Sequence, residues 1–109
     1  LLTLPTAAQD WTRADTHRQI LVTTLSVMDW GQTLRLTEMH GEKHEGNPIL
    51  GEYPSRARVN VYFATSIALG FVIARALPPR LRRVFQYVCI GFEAGVVGDN
   101  FRIGIRVSL

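Results

Sequence analysis

The sequence predicts an all-α fold: three short transmembrane helices, a structured loop between the first two, and an extended C-terminal tail. Three observations predict it. Apolar segments at 20–36, 59–77 and 84–98 approach the roughly 17–25 residues that a spanning helix needs. Small residues recur at helical spacing, as Ser66, Gly70 and Ala74 in one row and Gly91 with Gly95, widened by Ala94 and Gly98, in another. In lipid such rows let helix backbones approach closely, whereas in a soluble helix each interior Gly costs about 1 kcal/mol relative to Ala. Finally, the turn between the second and third segments carries Arg75, Arg80, Arg82 and Arg83 without an acid, while aromatics (Tyr62 and Phe63, Phe85 and Tyr87) gather near segment ends, as at membrane interfaces.

Length and composition bound the alternatives. A chain of 109 residues has room for one domain. It is 47% hydrophobic and 19% charged; an average soluble domain carries about 25% charged residues, so charge is scarce. The net charge of +3 is almost all arginine, Lys43 being the one lysine, and the bases sit at segment ends. Nucleic-acid binders concentrate bases on one face with aromatics between them, and this pattern is different; no nucleic-acid partner is expected. Cys89, the single cysteine, lies in an apolar run and excludes an internal disulfide and a cysteine zinc site.

Along the chain, residues 1–8 (LLTLPTAA) read either as the tail of a signal peptide running into a small-residue cleavage site or as the apolar remnant of a longer helix. Residues 9–18 are a polar stretch that begins a helix, with Asp15 or Thr16 as N-cap. The first apolar segment follows, interrupted by Asp29, Gln32 and Arg35. Residues 37–58, rich in Glu, His, Gly and Pro, form a loop, with Ser55 placed to cap the next helix. Pro78 and Pro79 stop the second segment, and 80–83 form a basic hinge. The third segment is broken only by Gln86 and Glu93. In the tail, 99–109, apolar Phe101, Ile103, Ile105, Val107 and Leu109 alternate with Arg102, Gly104, Arg106 and Ser108, which reads as a strand able to join a partner's sheet or as a frayed end.

Asp29 and Glu93 carry the strongest chemical signal. A carboxylate in hydrocarbon is tolerated only when paired, protonated or hydrated, and intramembrane acids are functional candidates. Asp29, Gln32 and Thr33 share a helix face, Ser26 extends it, and Glu93 lies at comparable depth. Two readings stand: a proton or cation site, and a structural hydrogen-bond cluster joining two helices. His40 and His44 have the spacing of paired zinc ligands, but Gly41 opposes a helix there, so they are weak metal candidates in a solvated acidic loop. The loop's Glu45 and Asn47 are placed to cover the mouth of the polar face. No cofactor and no catalytic group are expected.

The strings Asp29-Trp30-Gly31-Gln32-Thr33, Asn47-Pro48-Ile49-Leu50-Gly51, Pro54-Ser55 and Val59-Asn60-Val61-Tyr62-Phe63 resemble a pattern in small membrane proteins of proteobacteria and their phages. The resemblance covers most of the chain from Asp10 onward and carries no activity. It implies a bacterial or phage origin and an inner-membrane setting. The positive-inside rule places the arginine turn in the cytoplasm and the acidic loop in the periplasm, in conflict with a cleaved signal peptide if all three segments span. The expected role is a non-enzymatic structural or accessory component, packed in lipid against itself or other membrane subunits. The alternatives are a proton- or cation-coupled transport component using Asp29 and Glu93, and a soluble or virion structural protein whose apolar helices are buried between subunits.

Overall fold

In the computed structural model, which describes residues 10–38 and 55–104, three α-helices account for nearly all of the described chain: α1 (Arg13–Glu38), α2 (Arg56–Ala76) and α3 (Pro79–Arg102). The all-α expectation holds among these residues. The stretch read as a signal remnant (1–8), most of the acidic loop, with His40, His44, Glu45 and Asn47, and the last five residues lie outside the described residues.

Each helix start has a local cause. At α1, Thr12 and Asp15 exchange hydrogen bonds: the Thr12 amide donates to Asp15 Oδ2 at 2.9 Å, and the Asp15 amide donates to Thr12 Oγ1 at 3.2 Å. This reciprocal capping box satisfies two amides that a helix start leaves without partners. Thr12 is therefore the cap, which corrects the expectation of Asp15 or Thr16. At α2 the expected cap forms, with the Arg58 amide donating to Ser55 Oγ at 3.1 Å. At α3, Pro79 takes the first helical position, where its missing N–H removes nothing, and Arg82 N donates to Pro78 O at 2.8 Å. The prolines break the chain for two residues only, so Arg80 to Arg83 form the first turn of α3 and not a hinge.

The third helix also ends later than its apolar pattern. It runs through Asp99, Asn100, Phe101 and Arg102, and stops where Gly104 takes φ +95°, a conformation that glycine enters without strain. The alternation that suggested an extended tail from 99 is thus helical in its first part. The reason is tertiary, since Asn100 and Val97 both bond to Gln32 on α1, and local, since Arg102 pairs with Asp99 one turn back.

Helix α1 packs along α3 and, over a shorter length, along α2, while α2 and α3 touch little. The residues that meet rise together in number on α1 and α3, from Asp15 with Arg82 to Gln32 with Asn100. The two helices are therefore parallel, and α2 runs back between them in an up-down-up order. A small apolar cluster of Leu34, Val59 and Phe63 joins α1 to α2, with Trp30 stacked on Phe63 at 6.0 Å and Trp30 Nε1 donating to Asn60 Oδ1 at 2.8 Å.

Beyond that cluster, Leu36, Ala74 and Val97 are buried, but most of the remaining interior is polar and much of the exterior apolar. Arg82, Gln32, Gln86, Thr33, Asp15 and Asp29 are buried, whereas Val61 and Phe92 are 66% and 67% exposed. Of the three helices, α2 is long and apolar enough by itself to cross a membrane. The glycine rows do not join helices of this chain: a Cβ added at Gly70, Gly91, Gly95 or Gly98 would meet nothing within 4 Å. Ser66, Ala94 and the α3 glycines lie on the exposed surface, and of the predicted packing residues only Ala74 is buried.

Candidate functional site

Polar residues recur at three- and four-residue steps on α1 and at four- and seven-residue steps on α3, so each helix carries one polar stripe. The two parallel stripes face each other and form a seam in three tiers.

The first tier centres on Arg82, which is fully buried. Its Nε donates to Ala74 O at 2.8 Å and its Nη2 to Leu77 O at 3.1 Å, so it caps carbonyls that the end of α2 leaves open. Its Nη1 donates to Asp15 Oδ2 at 2.9 Å. One guanidinium on α3 thus holds the end of α2 and the start of α1. Arg18 pairs with the other Asp15 oxygen. Burial pushes the Asp15 carboxyl up, but the Thr12 amide, the Arg82 guanidinium and the Thr12 hydroxyl outweigh it and hold the group below its ordinary 3.8. One turn along α3, Gln86 Nε2 donates to Asp15 O and to Gln19 Oε1, both at 3.1 Å, and Gln86 Oε1 accepts from Arg18 Nε at 2.8 Å. Trp11 lies under two cations, with the Arg75 and Arg82 guanidinium carbons each 4.8 Å from its ring centre.

The second tier is the predicted acid pair. The Asp29 and Glu93 carboxyl groups are close enough to interact directly across the seam. Thr33 Oγ1 donates to Asp29 O at 2.8 Å and lies 3.4 Å from Asp29 Oδ1. Glu93 Oε1 is buried and has no hydrogen-bond partner among the described residues. In the third tier Gln32, fully buried, donates from Nε2 to Val97 O at 3.2 Å and accepts at Oε1 from Asn100 Nδ2 at 3.0 Å.

Beside the second tier a cleft of about 420 Å³ opens between α2 and α3, with α1 as its floor. Gln19, Thr23 and Ser26 line the floor, and Tyr62, Phe63, Phe85 and Phe92 are among the residues of the walls. Glu93 lines the cleft as well, and among the described residues no Lys, Arg or His does.

Of the predicted site residues, Asp29, Gln32, Thr33 and Glu93 are brought together on one seam, and Ser26 joins them through the cleft. Glu45, Asn47, His40 and His44 lie outside the described residues; among the described residues no group of three His, Cys, Asp or Glu is placed to hold a metal. The first tier escaped the sequence reading. Its signals were the Thr12-x-x-Asp15 spacing of a capping box, and Gln86 lying one turn from Arg82 and two turns from Glu93 on the same face. No protein-family model, curated protein or solved structure matches this chain.

Proposed function

We propose that this is a small integral membrane protein whose three helices all span, acting as a non-enzymatic structural or accessory component of a homo-oligomer or a larger membrane complex. One observation carries the reading: an uncharged exterior belt surrounds a polar interior. On α1 the charges flanking the belt are Arg18 and Arg35, on α2 Arg58 and Arg75, on α3 Arg83 and Asp99. At 1.5 Å per residue these pairs stand about 24–26 Å apart. The three belts are nearly level, because Arg18 reaches Gln86 near one end and Gln32 meets Asn100 near the other. A hydrocarbon core of about 30 Å is slightly thicker, and arginine stems that snorkel to the interface close that difference. The charged residues inside the belts are Asp29 and Glu93, and both belong to the seam. Soluble proteins arrange their surfaces the other way round.

The oligomer part of the reading is supported by the exposed face of Gly91, Ala94, Gly95 and Gly98, where a second helix can approach closely. A bacterial inner-membrane setting, with the arginine turn cytoplasmic and the acidic loop periplasmic, accords with the resemblance to small membrane proteins of proteobacteria and their phages and with the positive-inside rule. Carbonate extraction of membranes tests the first part. The protein should stay in the pellet; release into the wash would favour a soluble or virion protein whose apolar belts are buried between subunits. Light scattering of the detergent-purified protein tests the second, and a monomer that co-purifies with nothing would refute it.

A second reading, a proton- or cation-coupled transport component, is favoured by the contact of Asp29 with Glu93 beside a cleft. Reconstituted vesicles that show no proton or cation flux dependent on either acid would remove it.

A further inference from the structure

The cleft between α2 and α3 has the size of a small-molecule site, about 420 Å³ against roughly 300–1,000 Å³ for ligand pockets, and the usual character of one: apolar and aromatic walls with a few polar groups. It lies within one copy of the chain and is therefore independent of the oligomer reading. Leu69, Val88 and Phe92 line it and are exposed, so it is open from outside.

We propose that this cleft binds a lipophilic organic amine in its protonated form, with Glu93 as the counter-ion. Three features select that ligand over a neutral or anionic one. Glu93 Oε1 is a buried acceptor with no donor among the described residues, and a buried acceptor left unsatisfied is unfavourable, so a ligand that brings an N–H or O–H to this carboxyl is favoured. Glu93 is the one acid that lines the cleft, and among the described residues no Lys, Arg or His lines it to balance a carboxylate there. A cation balances it, and a carboxylate or phosphate would be repelled. The walls, with Tyr62, Phe63, Phe85 and Phe92, supply aromatic rings that attract a desolvated ammonium and bury its apolar body.

The test uses the full chain in detergent micelles and three probes of one size: 4-phenylbutylamine, 4-phenylbutanol and 4-phenylbutyrate. Saturable binding above an empty-micelle control is measured by saturation-transfer NMR. The amine should bind about tenfold to a hundredfold more tightly than the alcohol, the scale of a hydrogen bond to a charged group, and the carboxylate should bind least. Glu93→Gln should cost the amine more than the alcohol and bring the two affinities together, since the amide keeps an acceptor but not the charge. Ser66→Phe, which fills the cleft, should remove both. If the three probes bind alike, the cleft is a slot for apolar chains, and the proposal is overturned. It is equally overturned if no probe saturates, or if the amine ignores Glu93→Gln. Should Glu93→Gln lose the alcohol too, Glu93→Asp replaces it, since it keeps the charge but withdraws it by one methylene; undiminished amine affinity in that variant would also overturn the proposal.

Discussion

The guanidinium of Arg82, near the start of α3, donates to Asp15 Oδ2 in the first turn of α1 at 2.9 Å, and both side chains are buried. Sixty-seven residues separate them, and the same guanidinium caps the end of α2. At this point a single side chain holds all three helices.

Removing one partner of a buried pair leaves the other charge uncompensated, with a loss of about 3–5 kcal/mol. Arg82→Met leaves Asp15 with Arg18 as its remaining cation, so the loss should approach but not exceed that scale, read as a lower midpoint of thermal or denaturant unfolding in detergent. The double variant Asp15→Leu/Arg82→Met should lose less than the two single losses added together, because the buried Asp15–Arg82 pair is then removed as a unit. Additive losses would mean that the two residues act independently.

Asp15 also predicts an acid limit. Its carboxyl is held below the ordinary 3.8 in the folded protein. A group depressed in this way stabilises the fold at pH values above its unfolded value, and that stability is lost as pH falls through the lower folded value. Stability should thus be level near neutrality with respect to this group and decline below about pH 4. Asp15→Asn should start lower and lose this contribution to the acid decline, as followed by circular dichroism across a pH series.

For Asp29 and Glu93 the amide variants are informative. Asp29→Asn and Glu93→Gln keep a polar contact without a carboxyl and should preserve folding and assembly. Leucine at either position should weaken helix association by about 1–2 kcal/mol, the scale of interhelical hydrogen bonds in model peptides. Amide variants that assemble normally and yet lose a transport activity would decide for the coupled reading. Amide variants that fail to assemble would show that the charged forms are required.

Gly95→Ile tests the oligomer surface. Nothing lies within 4 Å of an added Cβ at Gly95, so the single chain should fold unchanged. A second helix packed on that face would be displaced, and the expected outcome is a shift toward monomer in light scattering with an unaltered circular dichroism spectrum. An unshifted oligomer places the contact elsewhere.

Orientation is open to cysteine labelling in a Cys89→Ser background. Arg83 is exposed, unlike buried Arg82, and is the better reporter of the arginine turn. Arg83→Cys should be protected from an impermeant reagent added outside the cell, and Glu42→Cys should react. The reverse pattern would invert the topology.

Much was legible in the sequence because it is local. The period and length of the apolar segments, Ser55 as a cap, the prolines as a break, and Asp29, Gln32 and Thr33 as one polar face all rest on the chemistry of a few neighbouring residues. What the sequence by itself determined is that the chain makes helices and that two of them carry acids where apolar residues are expected. Only the tertiary structure decided that α1 and α3 run parallel with their polar stripes facing inward, that Arg82 reaches Asp15 and the end of α2, that α3 continues past Gly98, and that the glycine rows face outward. The reason is physical. A buried guanidinium, an amide bridging two helices and a helix extended by a distant glutamine depend on partners that chain folding brings together, and no window of sequence contains both partners.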